Sequence, residues 1–330
     1  MMCDKLFYKD SAECLSVSYS RLLQDIKETD SFKPFCKSHS YYDVFRNIIV
    51  SLLVDKEIVL LDSDFSDVEI EKLIGTPSLL GQEVSIDIPS GISEESLAGF
   101  IRQNASSWRI TLFTSGTTGL PKRVSHTFES ITRFVRNGDK HQNDVWGFAY
   151  NPTHMAGLQV FFQALLNLNP MIRLFGLDKK TIVHEVRENR ITNISATPTF
   201  YRLLLPAEDV CPSVTRITSG GEKFDEHALT LLQEMFPNAR ITNVYASTEA
   251  GTLFASKGNE FTIKEEMEHL IKVEEHELFL HKSLMGESSG LQTEGDWYAT
   301  GDLIEVTGHS PFTFHFISRK NELINVGGYK

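Results

Sequence analysis

Basic residues are in short supply. The chain has 32 Lys and Arg against 44 Asp and Glu, a formal net charge of −12 over 330 residues. A general nucleic-acid groove needs a basic surface to displace counterions, and pairs such as Lys179-Lys180 and Arg319-Lys320 do not supply one. Cysteine is sparse as well. Cys3, Cys14, Cys36 and Cys211 lie far apart with no CxxC, which argues against a disulfide or zinc framework and for a reducing compartment. Long hydrophobic runs are missing. Apolar stretches such as residues 48–54 fall far short of the roughly 20 residues that cross a bilayer. The amino terminus, MMCDKLFYKD, is charged early and has no apolar signal core. A cytoplasmic location without a membrane span is the expectation. There is no repeat, low-complexity tract or early Pro/Gly linker. What remains is 41% hydrophobic and 23% charged, a globular balance with enough chain for one large domain or two ordinary ones.

Periodicity predicts a helix over residues 41–54 running into a strand at 57–61. From about residue 108, short β-branched or apolar runs at 109–114, 145–150, 171–175, 193–196, 215–219 and 241–245 read as strands. They alternate with helical stretches at 125–136, 156–167, 179–189 and 225–236. Such alternation predicts an α/β fold of layered, mostly parallel sheets with helices. After Gly251 the pattern changes. Strands at 270–273, 277–281, 303–306 and 313–317, joined by turns, predict a small antiparallel or barrel-like unit toward the C-terminus.

The first chemical signal is Thr114-Ser115-Gly116-Thr117-Thr118-Gly119-Leu120-Pro121-Lys122. Four hydroxyls and two glycines fall within residues 114–119. Glycines let backbone N–H groups approach phosphate oxygens, hydroxyls add donors, and Lys122 adds positive charge. The spacing is not that of the P-loop, and Pro121 precedes the lysine, which disfavours a P-loop kinase or GTPase. An isolated TSG would be an ordinary surface loop. The whole string resembles the signature loop of the adenylate-forming superfamily, which includes acyl- and aryl-CoA ligases, luciferases and the adenylation domains of peptide synthetases. One departure is Arg123, where the family usually has Gly: a bulky cation beside the expected β/γ-phosphate site.

Three further motifs follow in the family's order. Ser219-Gly220-Gly221-Glu222 closes a predicted strand. A Gly-Gly pair there lets a planar ligand lie against backbone, although alone it commonly just makes a turn. The resemblance implies that this segment flanks the adenine and the acyl pocket. Asn243-Val244-Tyr245-Ala246-Ser247-Thr248-Glu249 is similar to the family's YGxTE motif, with Ala246 in place of Gly. The resemblance implies that Tyr245 stacks on adenine, Ala246 and Ser247 line the nucleotide, Thr248 touches the α-phosphate and Glu249 helps hold Mg²⁺. A phenol ring offers a flat apolar face, and one carboxylate is a usual contribution to a Mg²⁺ that keeps waters and phosphate oxygens. The same residues also read as a helix N-terminus, capped by Ser247 or Thr248, with Glu249 favouring the dipole. Trp297-Tyr298-Ala299-Thr300-Gly301-Asp302-Leu303 resembles the YxTGD motif. There the aspartate, here Asp302, accepts hydrogen bonds from the ribose hydroxyls, a task that two carboxylate oxygens suit. In isolation it would be a Gly-Asp turn before a strand.

Residues 317–330 resemble the family's hinge motif, with Ser318 and Asn325 replacing the usual Gly and Lys. Arg319 matches the arginine that binds ribose and phosphate, and Asn321 falls on the hinge position. The family continues into a lid of roughly a hundred residues, which carries a lysine that bridges carboxylate and α-phosphate. Lys330 comes too early to be that lysine. The resemblance therefore implies a large domain over 1–318, α/β to about 250 and β-rich over about 251–318. A hinge segment at 319–330 would lead to a lid absent from this chain, leaving adenylation impaired.

Asn151-Pro152-Thr153-His154-Met155-Ala156-Gly157-Leu158 resembles the PLFHxxG segment of acyl- and aryl-CoA ligases. By that resemblance His154 orients the acyl carboxylate; it also reads as a partly buried histidine capping the next helix. Pro198, Thr199, Phe200, Gly220 and Ser247 are candidate pocket walls, whereas Phe161, Phe162 and Leu165 have the spacing of core residues. Taken together, the resemblance implies an acid–thiol ligase. ATP and Mg²⁺ activate a small carboxylic acid as acyl-AMP, which passes to coenzyme A or to the phosphopantetheine of an acyl carrier protein. The catalytic set would be Lys122, His154, Thr248 and Glu249. The departures at Arg123, Ala246, Ser318 and Asn325 keep a second reading open, a non-catalytic homologue that binds nucleotide or acyl-adenylate.

Overall fold

A computed structural model describes residues 4–114, 121–206, 209–220, 226–288 and 293–320. Among these residues the strands form one 14-stranded sheet, one of four strands and one of two. The large sheet starts at the hairpin Leu15–Ser18 and Leu6–Asp10, then runs parallel through Met171–Arg173, Trp146–Phe148, Asn193–Ala196, Arg216–Gly220 and Arg240–Ser247. Beyond Arg240–Ser247 every pairing is antiparallel, through Gly251–Lys257, Glu260–Thr262, Phe312–Arg319, Trp297–His309, Glu277–His281 and Ile271–Glu274. The layered α/β class is as the sequence predicts, and so is the antiparallel C-terminal part. That part is not a closed barrel: it grows out of the parallel strands and ends on Ile271–Glu274.

The four-stranded sheet orders Phe35–Cys36, Ile58–Leu60, Arg109–Thr114 and Lys122–Thr127. Helix Tyr41–Leu53, whose N-cap Ser40 accepts the Asp43 N–H, shares one hydrophobic core with Ile58 and Ile110 of this sheet and Phe148 and Met171 of the large one. Ten of its 13 residues are buried, and the three that are not, Asp43, Arg46 and Asn47, lie together at i, i+3 and i+4 as its one polar face. Phe45 stacks on Phe161 with centroids 4.8 Å apart and meets Phe148 and Tyr8 edge-on at 5.2 and 5.4 Å. Phe161, Phe162 and Leu165 are fully buried in the same core. No helix among the described residues is long and apolar enough to cross a membrane. The described cysteines, Cys14, Cys36 and Cys211, are free.

The structure differs from the local sequence pattern at four places. The segment 125–136 is not one helix: strand Lys122–Thr127 takes its first three residues, and a helix of five residues, Phe128–Thr132, follows. Buried Val124 and His126 alternate with more exposed neighbours, a period of two that the hydroxyls obscured. Thr127 then caps the short helix by accepting the Ser130 N–H. Second, no helix begins at Ser247–Glu249. The chain turns directly into Gly251–Lys257, with the Ser247 hydroxyl accepting the Ala250 N–H at 3.1 Å. Third, Gly301-Asp302 is not a turn before a strand but lies inside the single strand Trp297–His309. Gly301 there has φ +74°, a conformation that glycine tolerates best. Fourth, Leu6–Asp10 and Leu15–Ser18 are strands that no sequence pattern announced.

Candidate functional site

Strands Arg109–Thr114 and Lys122–Thr127 pair antiparallel, from Arg109 opposite Thr127 to Thr114 opposite Lys122. The ends of the Ser/Thr/Gly string are thus register partners. Ser115, Gly116, Thr117, Thr118 and Gly119 lie outside the described residues, as do Gly221 and Glu222. Side chains alternate along the strand, so Lys122 shares a face with buried Val124 and His126. Arg123 points to the other face, where its guanidinium meets Glu57 at 3.2 Å. It is therefore directed away from Lys122.

His126, which the motif reading passed over, is 1% exposed. Its Nε2 lies 2.8 Å from the Thr248 carbonyl and its Nδ1 2.9 Å from the Ser130 hydroxyl. A carbonyl only accepts, so Nε2 carries the hydrogen and Nδ1 accepts from Ser130. Burial holds its pKa below 6.5, partly opposed by the bond to Thr248, with the Arg133 charge adding to the depression. A histidine buried neutral binds its proton less readily than in the unfolded chain. Stability from this group is therefore in place above about pH 6.5 and is lost as the pH falls through the folded pKa. Urea titrations between pH 7 and 5 should show a decline that His126→Gln reduces. Equal declines in the two proteins would contradict this assignment.

The antiparallel strands bring Tyr245, Asp302 and Arg319 into direct contact. Asp302 is 2% exposed. It accepts the Tyr245 O–H on Oδ2 at 2.5 Å and Arg319 Nε on Oδ1 at 2.9 Å. Burial, and then the charge of Asp302, raise the Tyr245 pKa well above 10 and keep the phenol a donor. Phe254 stacks against the Tyr245 ring at 5.6 Å. Burial raises the Tyr298 pKa, and the charges of Glu249 and Asp302 raise it further. Glu277 grips the same strand: Oε1 accepts the Gly301 N–H at 2.9 Å, and Oε2 pairs with Lys320. The Lys320 N–H in turn donates to the Gly301 carbonyl at 2.8 Å.

Next along the large sheet, Ser219 is the register partner of Asn243, and Asn243 shares a face with Tyr245. Ser219 Oγ and Asn243 Oδ1 are buried with no hydrogen-bond partner among the described residues, a state that an ordered water or a ligand can relieve. Gly220 is required beside them: a Cβ there would lie 2.8 Å from Val244 Cγ2 and 3.2 Å from its carbonyl oxygen. Ala246 and Ser247 continue the strand opposite Thr252 and Gly251.

His154 occupies the N-cap position of helix Met155–Leu165 but makes no capping bond. Its exposed ring instead places Nε2 2.9 Å from Asp62 Oδ2, which also accepts from Asn151 Nδ2 at 3.0 Å. The helix is tied to strand Gly251–Lys257, which follows the Thr248-Glu249 turn, through Gln159, which accepts the Thr252 hydroxyl at 2.9 Å. Pro198 and Phe200 are buried in the first turns of helix Pro198–Leu203. The structure thus joins Tyr245, Asp302 and Arg319 directly and links Thr248-Glu249 to the Lys122 strand through His126. It sets His154 on the helix beside that turn. The residues that sequence reasoning assigned no role are His126, Asp62, Tyr298 and Glu277; the partners that place His126, Asp62 and Glu277, namely Thr248, His154 and Gly301, are each more than 20 residues away.

A family model described as AMP-binding enzyme matches residues 71–271, well over half of the chain. This chain belongs to the AMP-binding enzyme family. Relatives of this AMP-binding enzyme include the 2-succinylbenzoate–CoA ligase of Bacillus pumilus (strain SAFR-032), 28% identical over an alignment of 163 residues that covers 46% of this chain and 32% of the relative. The 2-succinylbenzoate–CoA ligase of Bacillus subtilis (strain 168) is 25% identical over 218 residues, 62% of this chain and 42% of the relative. The chain therefore spans less than half the length of these curated relatives. Among solved structures it is similar to O-succinylbenzoate coenzyme A synthetase from Bacillus subtilis in complex with ATP and magnesium ion. The TM-score is 0.71 and the identity 18%, covering 99% of this chain and 79% of that one. At that identity the likeness bears on the fold.

Proposed function

We propose that this AMP-binding enzyme binds ATP with Mg²⁺ and activates a carboxylic acid as acyl-AMP, for transfer to the thiol of coenzyme A or of a carrier-protein phosphopantetheine. The observation that carries the reading is the convergence of Tyr245, Asp302 and Arg319 beside the Thr248-Glu249 turn, itself tied to the strand that begins at Lys122. Adenine would lie on the Tyr245 ring, near the unpartnered Asn243 Oδ1. The ribose diol would use the acceptor positions that remain on Asp302, since each carboxylate oxygen can accept twice. Lys122 and the loop that ends at it would meet the phosphates. Arg319 would sit at the ribose, and Gly220 would let the ligand approach backbone. Gly221 and Glu222 are assigned to the nucleotide on the motif alone.

Among the described residues no three His, Cys, Asp or Glu side chains gather as a metal site. A Mg²⁺ here would rest on phosphate oxygens and waters, with Glu249 as its protein carboxylate, and it would neutralise charge that builds on the phosphates. His154, steadied by Asp62, would orient the acid. The carboxylate oxygen then attacks the α-phosphorus, a new P–O bond forms, and pyrophosphate leaves with the electrons of the broken one. The thiol later takes the acyl group and AMP departs. The bond between Arg123 and Glu57 removes one reason for the non-catalytic alternative, because the extra cation is turned away from Lys122.

Calorimetry with ATP, with and without Mg²⁺, tests the reading. Binding should tighten with the metal. Glu249→Ala should lose that gain by about tenfold or more, as the loss of a charged ligand to the metal site implies. Metal-independent binding, unchanged in Glu249→Ala, would count against it.

A further inference from the structure

We propose that His126 is a positioning residue for the metal end of this site: it fixes the Thr248-Glu249 turn against the strand that begins at Lys122. The proposal rests on the nucleotide and metal reading given above, and three observations carry it.

The first is that the ring is spent at both nitrogens. The 1%-exposed imidazole bonds the Thr248 carbonyl at 2.8 Å and the Ser130 hydroxyl at 2.9 Å. A residue present only to fill space would need neither bond.

The second is that the surroundings are cut to the ring. A Cβ on Gly286 would lie 2.6 Å from His126 Cε1, 2.8 Å from Nε2 and 2.9 Å from the Ser125 carbonyl oxygen. Backbone and ring leave room there for glycine alone.

The third is that the same segment closes a second link between the two partners. The Gly286 N–H donates to the Glu249 carbonyl at 2.6 Å, and Glu287 and Ser125 exchange both backbone hydrogen bonds at 2.8 Å. Ser125-His126 and Thr248-Glu249 are therefore joined twice, once through the imidazole and once through Gly286-Glu287. Of these links only the imidazole is a side chain, so it alone can be changed by substitution without altering backbone. Lys122 stands four residues up the same strand from His126, about 13 Å of extended chain. Its distance from Glu249 is set through this junction. Substrate phosphates gripped by Lys122 on one side and by a Glu249-held ion on the other would feel any change in it.

The test is calorimetry with AMP and with ATP, each with and without Mg²⁺, on wild type, Glu249→Ala, His126→Phe, His126→Gln and Ser130→Ala. Phenylalanine keeps a flat ring, somewhat larger than imidazole, without nitrogens, and the glutamine amide can still donate to the Thr248 carbonyl. His126→Phe should cut the Mg²⁺-dependent gain in ATP affinity by about tenfold, the scale on which residues that orient a metal ligand act. AMP affinity should be unchanged, and His126→Gln should recover most of the loss. Equal loss for AMP and ATP overturns the positioning role and makes His126 general scaffold. No loss, or no recovery with glutamine, overturns it as well. If His126→Phe does not fold, Ser130→Ala carries the same test, because it removes the bond that orients the ring at Nδ1 and leaves Nε2 alone to hold the Thr248 carbonyl: a selective loss, smaller than a full loss of the imidazole would give, supports the proposal, and an equal or absent one refutes it. A wild type with no Mg²⁺-dependent gain, or a Glu249→Ala that retains it, refutes the nucleotide and metal reading itself and the positioning role with it. Normal behaviour in those two proteins with a silent His126→Phe refutes the positioning role alone.

Discussion

Asp302→Ala is expected to weaken AMP and ATP binding by about 30- to 150-fold, on the basis of roughly 2–3 kcal/mol for hydrogen bonds to a charged acceptor. The size follows from the position of the carboxylate. It is almost wholly buried and already holds the Tyr245 hydroxyl and Arg319. Alanine removes the acceptor for the ribose diol and also frees the two side chains that shape the pocket around it. Two controls separate these effects. Tyr245→Phe keeps the ring and its stacking on Phe254 and removes only the hydroxyl. It should cost much less, about fivefold, because the carboxylate stays in place for the ribose and the bond lost lies within the protein. Asp302→Asn keeps the volume and should fall between the two. Calorimetry with AMP suffices, since the ribose contact needs no metal. AMP affinity equal to wild type in Asp302→Ala would show that the diol binds elsewhere.

Trp108→Ala should cost about 3–5 kcal/mol of stability, the range for removing a large buried aromatic. Trp108 is fully buried. Its ring meets Phe162 and Phe128 edge-on at 5.9 and 6.4 Å, and its Nε1–H donates to the Ser51 hydroxyl at 2.9 Å. It thereby fastens helix Tyr41–Leu53 to the strand that starts one residue later and leads to the Ser/Thr/Gly string. Ser51→Ala should cost less, about 1–3 kcal/mol, because it leaves one buried donor unpaired and opens little space. Urea unfolding followed by circular dichroism measures both. A loss below about 1 kcal/mol for Trp108→Ala, the scale of an ordinary surface-to-boundary change, would mean that this junction is not where the two layers are held.

Much of the architecture could be read from the string because local pattern and tertiary environment agree there. Strands Arg109–Thr114, Asn193–Ala196 and Glu277–His281 begin and end where short apolar or β-branched runs do. Helix Lys179–Glu188 starts where Asp178 can cap it. The misreadings have the opposite cause. Leu6–Asp10 is a strand because Met171–Arg173 pairs with it across more than 160 residues, and nothing in LFYKD itself compels that. Residues 125–127 carry hydroxyls and a histidine that look like a helix start until Thr111, Glu287 and Thr248 supply their partners. The site divides the same way. Tyr245, Glu249 and Asp302 sit in recognisable strings. His126 does not, because its key partner is a backbone carbonyl 122 residues away, and a carbonyl has the same identity at every position. Asp62 escaped notice likewise, since its histidine lies 92 residues further on.

One strand, Arg240–Ser247, is hydrogen-bonded along both of its flanks, parallel to Arg216–Gly220 and antiparallel to Gly251–Lys257. A seam shared in this way denies the α/β and β-rich portions any private hinge, since to swing apart they would have to unzip a whole column of amide bonds at once. The two portions therefore cannot be traded as independent cassettes between relatives. A chimera would keep its fold only if the crossover fell in a connecting loop and left that strand with both of its original neighbours.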